Sequence, residues 1–589
     1  MPLHVVLVQL PIPPLGPEAV RGNVPLAAGY LKYYAQCVHR LPAEIEILSP
    51  SLADRAGDAA LLRAIVERQP DVVGFSCYVW NAERSLWLAQ RIKELRPQTR
   101  IVVGGPEATS DNAWFLNHPA VDWAVLGEGE ETFAELVAVL ADSPQLLIHP
   151  LEAPDIPGTW NRHRSRFGPP RPQLRSLDAV GRVYLDGMID PRWHNTLLLE
   201  SIRGCIFHCS FCFYPKSFDR LTYMSREVIL ENLRLAEECG VAEVFLLDPT
   251  LNQRRDFEDF LHTLREGNPR GSFTYSGELR AEGIRPELAQ LMRSAGFVEV
   301  ELGLQSVGRT AQDLMHRRVN LPAFERGVQA LMDAGIHVRV DLIIGLPGDT
   351  AETVRQGIEY LTSSGLYHEP QVFRLSVLPG TEFRRRSEEL GLEFQPRPPY
   401  HVLSTPSLRA EEIQQLMAEA EQAFHTDFDP LPIANDELSA ERVNQGGSVW
   451  RIDLDEASPA PSPETVDIAH TLWITAREFA DRSAEIVPWV RRVLGDNPHT
   501  SLWVVLDVTQ SNSLPTAEDV FHIMDALYEQ PPTYWDWHLA LHPKPGRLGA
   551  KRIVIYSERP LKGRLARWRR SIGRVADVVE KNRVPQKTV

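Results

Sequence analysis

The chain has 589 residues, of which 43% are hydrophobic and 24% charged, and its formal net charge at pH 7 is −16. This length exceeds what one hydrophobic core supports, so the composition predicts a globular protein of two to four domains. No apolar stretch approaches the ~20 residues that a membrane-spanning helix needs, which argues against a membrane partner. The N-terminus shows no secretory signal pattern and the six cysteines suggest no disulfide framework, so we expect a cytoplasmic protein.

The first region, residues 1–150, alternates apolar runs with helix-period segments. The apolar runs are "HVVLVQL", "EIEILSP", "VVGFSCY", "RIVVGG" and "DWAVLG". Such runs alternating with amphipathic helices predict a parallel sheet covered on both faces, which makes this region a Rossmann-like α/β domain. Gly104, Gly105, Gly127 and Gly129 fall where the last two strands end, and open α/β sheets bind ligands at those carboxyl ends.

Three further regions follow. Residues 151–192 are rich in proline and predict a connector along the surface. Residues 193–408 repeat the strand–helix alternation with six candidate strands, which is short of a full eight-stranded barrel and predicts a partial (β/α)6 barrel. Residues 409–589 contain helix and strand patterns without a readable motif, and we expect a small α+β domain there. The fold class is therefore α/β.

The C-terminal region has two compositional features. Seven of the 13 tryptophans lie after residue 440, and core packing explains them more simply than a substrate cavity. From Lys544 to Val589 there are 14 Lys/Arg against 3 Asp/Glu. No aromatic stacking platform accompanies these charges, so we favour a solvated basic helix face and expect no nucleic-acid partner.

The motif that carries chemistry is "RGCIFHCSFCFYP", directly after the first strand of the second region. Cys205, Cys209 and Cys212 have the spacing C-x₃-C-x₂-C. A structural zinc site needs four ligands, and His208 is the only nearby candidate for the fourth. A 4Fe–4S cluster on three cysteines instead leaves one iron open for chemistry.

This motif resembles the cluster motif of radical SAM enzymes, with the aromatic Phe211 before the last cysteine and a six-strand barrel pattern after it. The segments "VVGFSCYVWN", "VVGGPEAT" and "VLGEGEETF" resemble the cobalamin-binding domain of the cobalamin-dependent subgroup. The resemblance covers roughly residues 1–400. It implies three cofactors: a 4Fe–4S cluster, S-adenosylmethionine and cobalamin.

The resemblance also implies the residues that hold the cluster and S-adenosylmethionine. Cys205, Cys209 and Cys212 would bind three irons, with Phe211 beside them, and the open iron would take the methionyl group. Asp248 would support that group from the end of the second strand. The ribose, carboxylate and adenine would be held by residues at the later strand ends, namely Glu278, Arg280, Glu301, Gln305, Ser306 and Gly345.

For cobalamin, the first domain lacks the D-x-H-x-x-G motif that supplies a histidine to cobalt. The resemblance therefore implies a base-off cofactor approached by the "CYVWN" loop, with Trp80 foremost, although Trp80 could instead cap the hydrophobic core. The glycine-rich strand ends would cradle the corrin edge and the nucleotide tail. The implied cobalamin contacts are Ser76, Tyr78, Trp80, Gly104, Gly105, Glu107, Gly127, Glu128 and Gly129.

The activity implied by the resemblance is radical methyl transfer from methylcobalamin to an unactivated carbon of a small-molecule or peptide-derived natural-product intermediate. An external electron donor of the flavodoxin or ferredoxin type would reduce the cluster. Ring contraction or cyclisation with the same cofactors stays open, as does non-radical methylation with Asp248 on the open iron. A cobalamin-binding sensor is a different class, and the intact cysteine motif and barrel argue against it.

Overall fold

The computed structural model describes residues 2–16, 20–214, 218, 220–431, 448–457, 460–541, 549–559, 561, 568 and 576–580. Three large β-sheets organise these residues, and two short two-stranded ribbons accompany them. Most of the basic segment from Lys544 to Val589 lies outside the described residues. Among the helices described, none is long and apolar enough to cross a bilayer.

The first sheet has seven strands in the order β2-β1-β3-β4-β5-β6-β7. Strands β1 to β5 pair in parallel, as the sequence predicts, and β6 and β7 extend the edge antiparallel. The strands are β1 (His4–Gln9), β2 (Glu44–Ile47), β3 (Val72–Ser76), β4 (Arg100–Gly104), β5 (Trp123–Val125), β6 (Thr159–Asn161) and β7 (Arg166–Phe167). The α-helices among them are Leu26–Tyr33, Pro50–Ala53, Asp58–Glu67, Ala82–Leu95, Ala113–Leu116 and Glu130–Asp142. The stretch predicted as a connector thus contributes two strands to this sheet.

The second sheet is the predicted partial barrel. Its six parallel strands stand in chain order, β8-β11-β12-β13-β14-β15. They are β8 (Thr196–Leu199), β11 (Glu243–Leu246), β12 (Thr274–Leu279), β13 (Phe297–Gln305), β14 (His337–Ile344) and β15 (Glu369–Arg374). Between β8 and β11, the short strands β9 (Ile202–Arg203) and β10 (Thr222–Tyr223) form an antiparallel ribbon. Right-handed crossovers between parallel strands in chain order put the helices on one face and leave the other face for a site.

The barrel helices have clear sequence boundaries. The helix Arg226–Cys239 begins after Ser225, whose side chain accepts from the Val228 N–H, and ends at Gly240 in the left-handed conformation. The others are Phe257–Gly267, Pro286–Ala295, Arg309–Leu314, Leu321–Asp333 and Ala351–Ser364, followed by Glu382–Arg385 and Ala410–Phe424. Between the last two helices lies a second ribbon of β16 (Glu393–Phe394) and β17 (Val402–Ser404).

The C-terminal domain contains a five-stranded sheet in which all strands pair in parallel and in chain order. This differs from the α+β arrangement expected from the sequence, because the direction of pairing is set by long-range contacts that a local pattern does not contain. The strands are β18 (Ser448–Asp453), β19 (Ala469–Thr475), β20 (Ser501–Asp507), β21 (Lys551–Ser557) and β22 (Asp577–Glu580). The helices are Ser483–Asp496, Ala517–Leu527 and Tyr534–Leu539.

Candidate active site

Three cysteines line a small cavity at the barrel strands, which we call the cysteine cavity. Cys205, Cys209 and Cys212 surround about 120 Å³ together with side chains of β12, β13 and β14. All three thiols are free, and burial raises the pKa of Cys212 to about 12. Thiols lose their protons when they bind a metal, so a cationic group in this cavity would stabilise the thiolates.

The cysteine loop is anchored at both ends. It is the connection between β9 and β10, and it begins at Gly204, whose φ is +98° and whose added Cβ would lie 2.6 Å from the Arg220 carbonyl oxygen. Gln253 fixes the next turn, since its Oε1 accepts from the Ile206 N–H at 2.9 Å. Further along, the Ser210 N–H donates to the Met315 carbonyl at 2.9 Å. Only glycine fits the first anchor, which accounts for the Gly-Cys pair in the motif.

The geometry favours a multi-iron cluster over a single zinc ion. In the part of the chain that the structure describes, no three His, Cys, Asp or Glu side chains form a group that could hold one ion. His208 is exposed and does not line the cysteine cavity. His208 is therefore not placed to complete a zinc site, and three thiols at one cavity suit a cluster with one open iron.

The opposite wall of the cysteine cavity carries three carboxyl groups. Glu278, Glu301 and Asp341 lie on three adjacent strands. Burial above all raises the pKa of each, that of Glu278 to about 7. Arg317 faces them, with its Nη1 4.0 Å from the Cys209 Sγ. A ligand that brings positive charge or hydroxyl donors would relieve the burial of these groups.

Two polar atoms of this wall have no hydrogen-bond partner among the described residues. They are the Gln305 Oε1 and the Asp341 Oδ1. Both are acceptors in a buried position, where an unmade hydrogen bond is costly. Arg280 closes one side with its guanidinium 4.3 Å from the centre of the Phe207 ring. The wall thus offers acceptors to a ligand with ammonium or hydroxyl groups.

A second cavity of about 470 Å³ lies between the first domain and the barrel, and we call it the interdomain cavity. The rings of Tyr78 and Trp80, just after β3, stack at 4.7 Å between their centres and 2° between their planes. Among the described residues that line this cavity there is no histidine. The predicted contacts that line it are Tyr78, Trp80, Gly105, Glu107, Gly127, Glu128 and Gly129.

A slot of about 80 Å³ continues the interdomain cavity along the first sheet. Gly105, Gly127 and Gly129 line both spaces, whereas Ser76 and Gly104 line only the slot. Gly105 has a φ of +94°, and an added Cβ would lie 2.6 Å from the carbonyl oxygen of Cys77. A side chain there would push into the neighbouring backbone, so the slot requires glycine at this position.

An arginine ties the two domains together at this cavity. The Arg203 side chain, 7% exposed, pairs with Glu128 and Glu130 of the first domain at 2.9 Å each and with Glu200 of the barrel at 2.8 Å. Glu128 also accepts from the Leu174 N–H at 2.6 Å. Because removing one partner leaves buried charge uncompensated, this network fixes the geometry of the cavity wall.

A third cavity, of about 630 Å³, lies where the barrel, the segment 426–430 and the C-terminal domain meet, and we call it the large cavity. Phe211 lines both it and the cysteine cavity, and Val79 lines both it and the interdomain cavity. Tyr214 lines the cysteine and interdomain cavities. Each pair of the three cavities therefore shares a wall.

Family models match two parts of the chain: the B12 binding domain over residues 26–137 and the radical SAM superfamily over residues 199–361. The cobalamin-dependent radical SAM methyltransferase TokK of Streptomyces tokunonensis is 28% identical over 421 residues, 67% of this chain and 60% of TokK. The 2-(S-pantetheinyl)-carbapenam-3-carboxylate methyltransferase of Streptantibioticus cattleyicolor is 28% identical over 424 residues, with the same coverage. The chain thus spans about 60% of the length of these relatives.

The fold agrees with these matches. The structure of TsrM from Kitasatospora setae, with cobalamin and a [4Fe-4S] cluster bound, superposes with a TM-score of 0.53 at 18% identity, over 72% of this chain and 82% of TsrM. This chain thus carries both a B12 binding domain and a radical SAM domain, and it is similar over two thirds of its length to a cobalamin-dependent radical SAM methyltransferase. Its cofactors are accordingly a 4Fe–4S cluster, S-adenosylmethionine and cobalamin.

The residues of this radical SAM enzyme fit those groups. The cysteine cavity supplies three thiols and unpaired acceptors, and the interdomain cavity and slot supply stacked aromatic rings and glycine backbone without a histidine. Of the predicted contacts for the cluster and S-adenosylmethionine, those that line the cysteine cavity are Cys205, Cys209, Phe211, Cys212, Glu278, Arg280, Glu301 and Gln305.

Asp248 lies elsewhere. Its buried carboxylate accepts from the Ser201 N–H at 2.8 Å and the Ile202 N–H at 2.9 Å, and also from the Ser201 hydroxyl. It does not line the cysteine cavity. In this structure Asp248 holds the turn that leads into the cysteine loop, and its contact with S-adenosylmethionine or the open iron stays a prediction.

Ser306 and Gly345 also lie outside the cysteine cavity. The Ser306 hydroxyl donates to Asp349 at 2.9 Å and accepts from the Gly308 N–H, so it orders the turn after β13. Gly345 packs under β17, where an added Cβ would lie 2.5 Å from a Val402 methyl group. Both have structural partners that the sequence pattern does not reveal.

The sequence analysis missed Arg203, Arg317 and Asp341. Asp341 stands in the apolar strand that leads to the predicted Gly345, and an acidic residue within such a strand is the available signal. Arg317 belongs to a loop after a helix, and Arg203 is the first residue of the quoted cysteine motif. Neither has a local signal, because each acts through partners distant in sequence.

Proposed function

We propose that this enzyme transfers a methyl group to an unactivated carbon of a small-molecule or peptide-derived natural-product intermediate. The observation that supports this most is that each pair of the three cavities shares a wall. A substrate in the large cavity would contact Phe211 on one side and Val79 on the other. One carbon of it could then reach both the hydrogen-abstracting site and the methyl-donating site.

When bound, the cluster and S-adenosylmethionine supply a 5′-deoxyadenosyl radical, and cobalamin supplies the methyl group. Side chains of this protein would separate the cavities and hold the bound groups. Phe211 and Tyr214 separate the cavities and exclude water from the radical site. Glu278 and Glu301 would accept hydroxyl donors of the nucleoside. The stacked Tyr78 and Trp80 would face the corrin where other cobalamin proteins place a histidine.

The names of the two relatives support a natural-product substrate, since one acts on 2-(S-pantetheinyl)-carbapenam-3-carboxylate. The volume of about 630 Å³ falls within the range of small-molecule sites. We infer that the C-terminal domain caps this substrate, because Tyr534, His538 and Leu541 line the large cavity. A flavodoxin- or ferredoxin-type protein would supply electrons.

The test uses enzyme reconstituted without oxygen, a chemical reductant and S-adenosylmethionine labelled as a trideuteromethyl donor. A panel of candidate acceptors, with 2-(S-pantetheinyl)-carbapenam-3-carboxylate first, is screened by mass spectrometry for the labelled methyl. Radical methyl transfer predicts S-adenosylhomocysteine and 5′-deoxyadenosine in near-equal amounts. Polar methylation would give S-adenosylhomocysteine alone, and ring chemistry would give 5′-deoxyadenosine with no methyl gained. Either result would refute the proposal.

A further inference from the structure

The wall of the large cavity carries four polar side chains in a row, apart from the cofactor sites. The Ser376 Oγ lies 3.2 Å from the His401 Nδ1. The His401 Nε2 lies 3.0 Å from the His538 Nδ1, and the His538 Nε2 lies 2.9 Å from the Asp429 Oδ1. All four residues line the large cavity. We call them the Ser–His–His–Asp chain.

The hydrogen bonds of this chain can run in only one direction while Asp429 is ionised and both imidazoles are neutral. A carboxylate accepts and cannot donate, so His538 must carry its proton on Nε2. The His538 Nδ1 is then an acceptor, and His401 must carry its proton on Nε2. The His401 Nδ1 in turn accepts from the Ser376 hydroxyl. The Asp429 carboxylate at one end of the chain therefore determines the tautomers of both His538 and His401.

The Ser–His–His–Asp chain crosses from the barrel to the C-terminal domain, and further contacts fix its geometry there. Gln395 accepts from the His401 N–H at 3.2 Å and donates its amide to the Trp537 carbonyl at 2.8 Å. Trp537 belongs to the helix Tyr534–Leu539 that carries His538, and the Tyr534 ring stacks on His538 at 5.8 Å. The barrel and the C-terminal domain thus share one rigid polar contact.

His401 and His538 differ in burial and in the charged groups that surround them. His401 is 8% exposed, and burial, with His538 and Arg374 adding to it, lowers its pKa well below the usual range. Burial raises the pKa of Tyr534 to about 12, so its hydroxyl stays neutral. The other ionisable groups of this cavity wall are Asp427, Asp429 and Glu369. Of the two imidazoles, His538 is the one that lies beside a carboxylate, that of Asp429, whose side chain is 35% exposed.

We propose that the Ser–His–His–Asp chain is a proton relay for the substrate in the large cavity. An O–H or N–H bond of the substrate breaks, and its proton goes to the Ser376 oxygen. The Ser376 proton passes to the His401 Nδ1, and the His401 Nε2 proton passes to the His538 Nδ1. His538 becomes an imidazolium paired with the Asp429 carboxylate, as in catalytic triads. No electron is transferred, and the substrate is left as its anion.

This inference rests on the proposed function and deepens it, because it names a property of the substrate. The acceptor would carry an ionisable hydroxyl or N–H near the carbon that reacts. Ser376 is then the residue that touches the substrate, and His401, His538 and Asp429 are positioning residues that act through it.

The first test reads the tautomers by NMR of the holoprotein labelled with ¹⁵N-histidine, with His401→Gln and His538→Gln used for assignment. At neutral pH both rings should carry the proton on Nε2. As the pH falls and His538 becomes charged, His401 should switch to the Nδ1–H form while it remains neutral, with the same midpoint. A His401 that keeps its Nε2 proton when His538 is charged would overturn the relay.

The Asp429→Asn variant tests the same coupling by removing the carboxylate at the end of the chain. Loss of the carboxylate should lower the shared midpoint of both rings, because the imidazolium loses its counter-charge. Asp427→Asn, two residues away on the same wall, leaves the chain intact and should give a smaller shift. Separate midpoints for the two rings, or equal shifts in the two variants, would contradict the relay.

The second test uses turnover of an acceptor found in the screen. Ser376→Ala should lower kcat about 100-fold with little change in KM, and Ser376→Thr should restore much of it. If the wild type methylates and both Ser376→Ala and Asp429→Asn match its kcat, the relay is refuted while the proposed function stands. If the wild type methylates nothing, the proposed function fails, and the tautomer measurement still decides the relay.

Discussion

The cysteine cavity and the large cavity differ in how the chain builds them. The cysteine cavity takes its three thiols from one loop of eight residues, Cys205 to Cys212, and its remaining wall from successive strands of one barrel. The large cavity takes its wall from the first domain, the barrel, the segment 426–430 and the C-terminal domain, from Val79 to Leu541. The difference indicates that the cluster ligands are specified locally, whereas the wall of the large cavity is specified by how distant segments meet.

The largest expected effect concerns the cysteine cavity, whose three thiols come from one loop. Replacing Cys205, Cys209 and Cys212 together with alanine should reduce the iron bound after anaerobic reconstitution from about four per chain to near zero, because no other described side chains form a metal group. Iron analysis and the visible absorption of the cluster measure it. His208→Ala in the same loop is the control and should keep the full iron content. A triple variant with its iron intact would show that the ligands lie elsewhere.

The next prediction concerns the slot beside the interdomain cavity. Gly105→Ala forces a side chain into a left-handed conformation and into the Cys77 carbonyl, at a cost of about 1–2 kcal/mol from the conformation alone. The loop should move, and cobalamin affinity should fall about tenfold or more. Titration with hydroxocobalamin measures it. Gly495→Ala has open space around its Cβ and should bind cobalamin as the wild type does.

The Asp248→Asn variant tests whether a side chain that does not line the cysteine cavity still affects the reaction there. Asp248→Asn loses hydrogen bonds to the Ser201–Ile202 turn, so unfolding free energy should fall by about 1–3 kcal/mol and cleavage of S-adenosylmethionine should weaken. Thermal unfolding and 5′-deoxyadenosine formation measure the two effects. The exposed Asp259→Asn is the control. A gain of 5′-deoxyadenosine would instead mean that Asp248 occupies the open iron in the wild type.

A pH dependence of stability is expected at the contact between the first domain and the barrel. Glu107 accepts from the Tyr400 hydroxyl at 2.6 Å, and burial raises its pKa to about 7. An unfolded glutamate has a pKa of about 4.3, so between about pH 4.3 and 7 the folded state binds a proton that the unfolded state lacks. This contribution to stability is present at low pH and is lost as the pH rises to 7, by roughly 4 kcal/mol in total.

Glu107→Gln keeps the shape of the protonated side chain and should flatten this dependence. The measurement is the thermal midpoint of the wild type and the variant at pH 5.5 and pH 8. The variant should lose less stability than the wild type over that interval, and the exposed Glu352→Gln should behave as the wild type does. An equal loss in all three proteins would mean that Glu107 is ionised in the fold.

The comparison between the cysteine cavity and the large cavity also explains which features the sequence could predict. The five strands of the first domain and the six of the barrel were predicted because buried parallel strands are apolar throughout and bounded by glycine or polar residues. The cluster ligands were predicted because their spacing is local. Asp248 and Ser306 are expected in the site because they follow strands, yet Asp248 binds the Ser201–Ile202 turn and Ser306 binds the Gly308 N–H. His401 and His538, 137 residues apart, give no local signal of a shared contact.

The most direct test of the account follows deuterium during turnover. The acceptor identified in the screen is prepared with deuterium on the carbon that becomes methylated. Because one carbon in the large cavity would reach both cofactor sites, deuterium should appear in 5′-deoxyadenosine, and the new methyl group should appear on the same carbon. A methylated product formed without deuterium in 5′-deoxyadenosine would contradict the account.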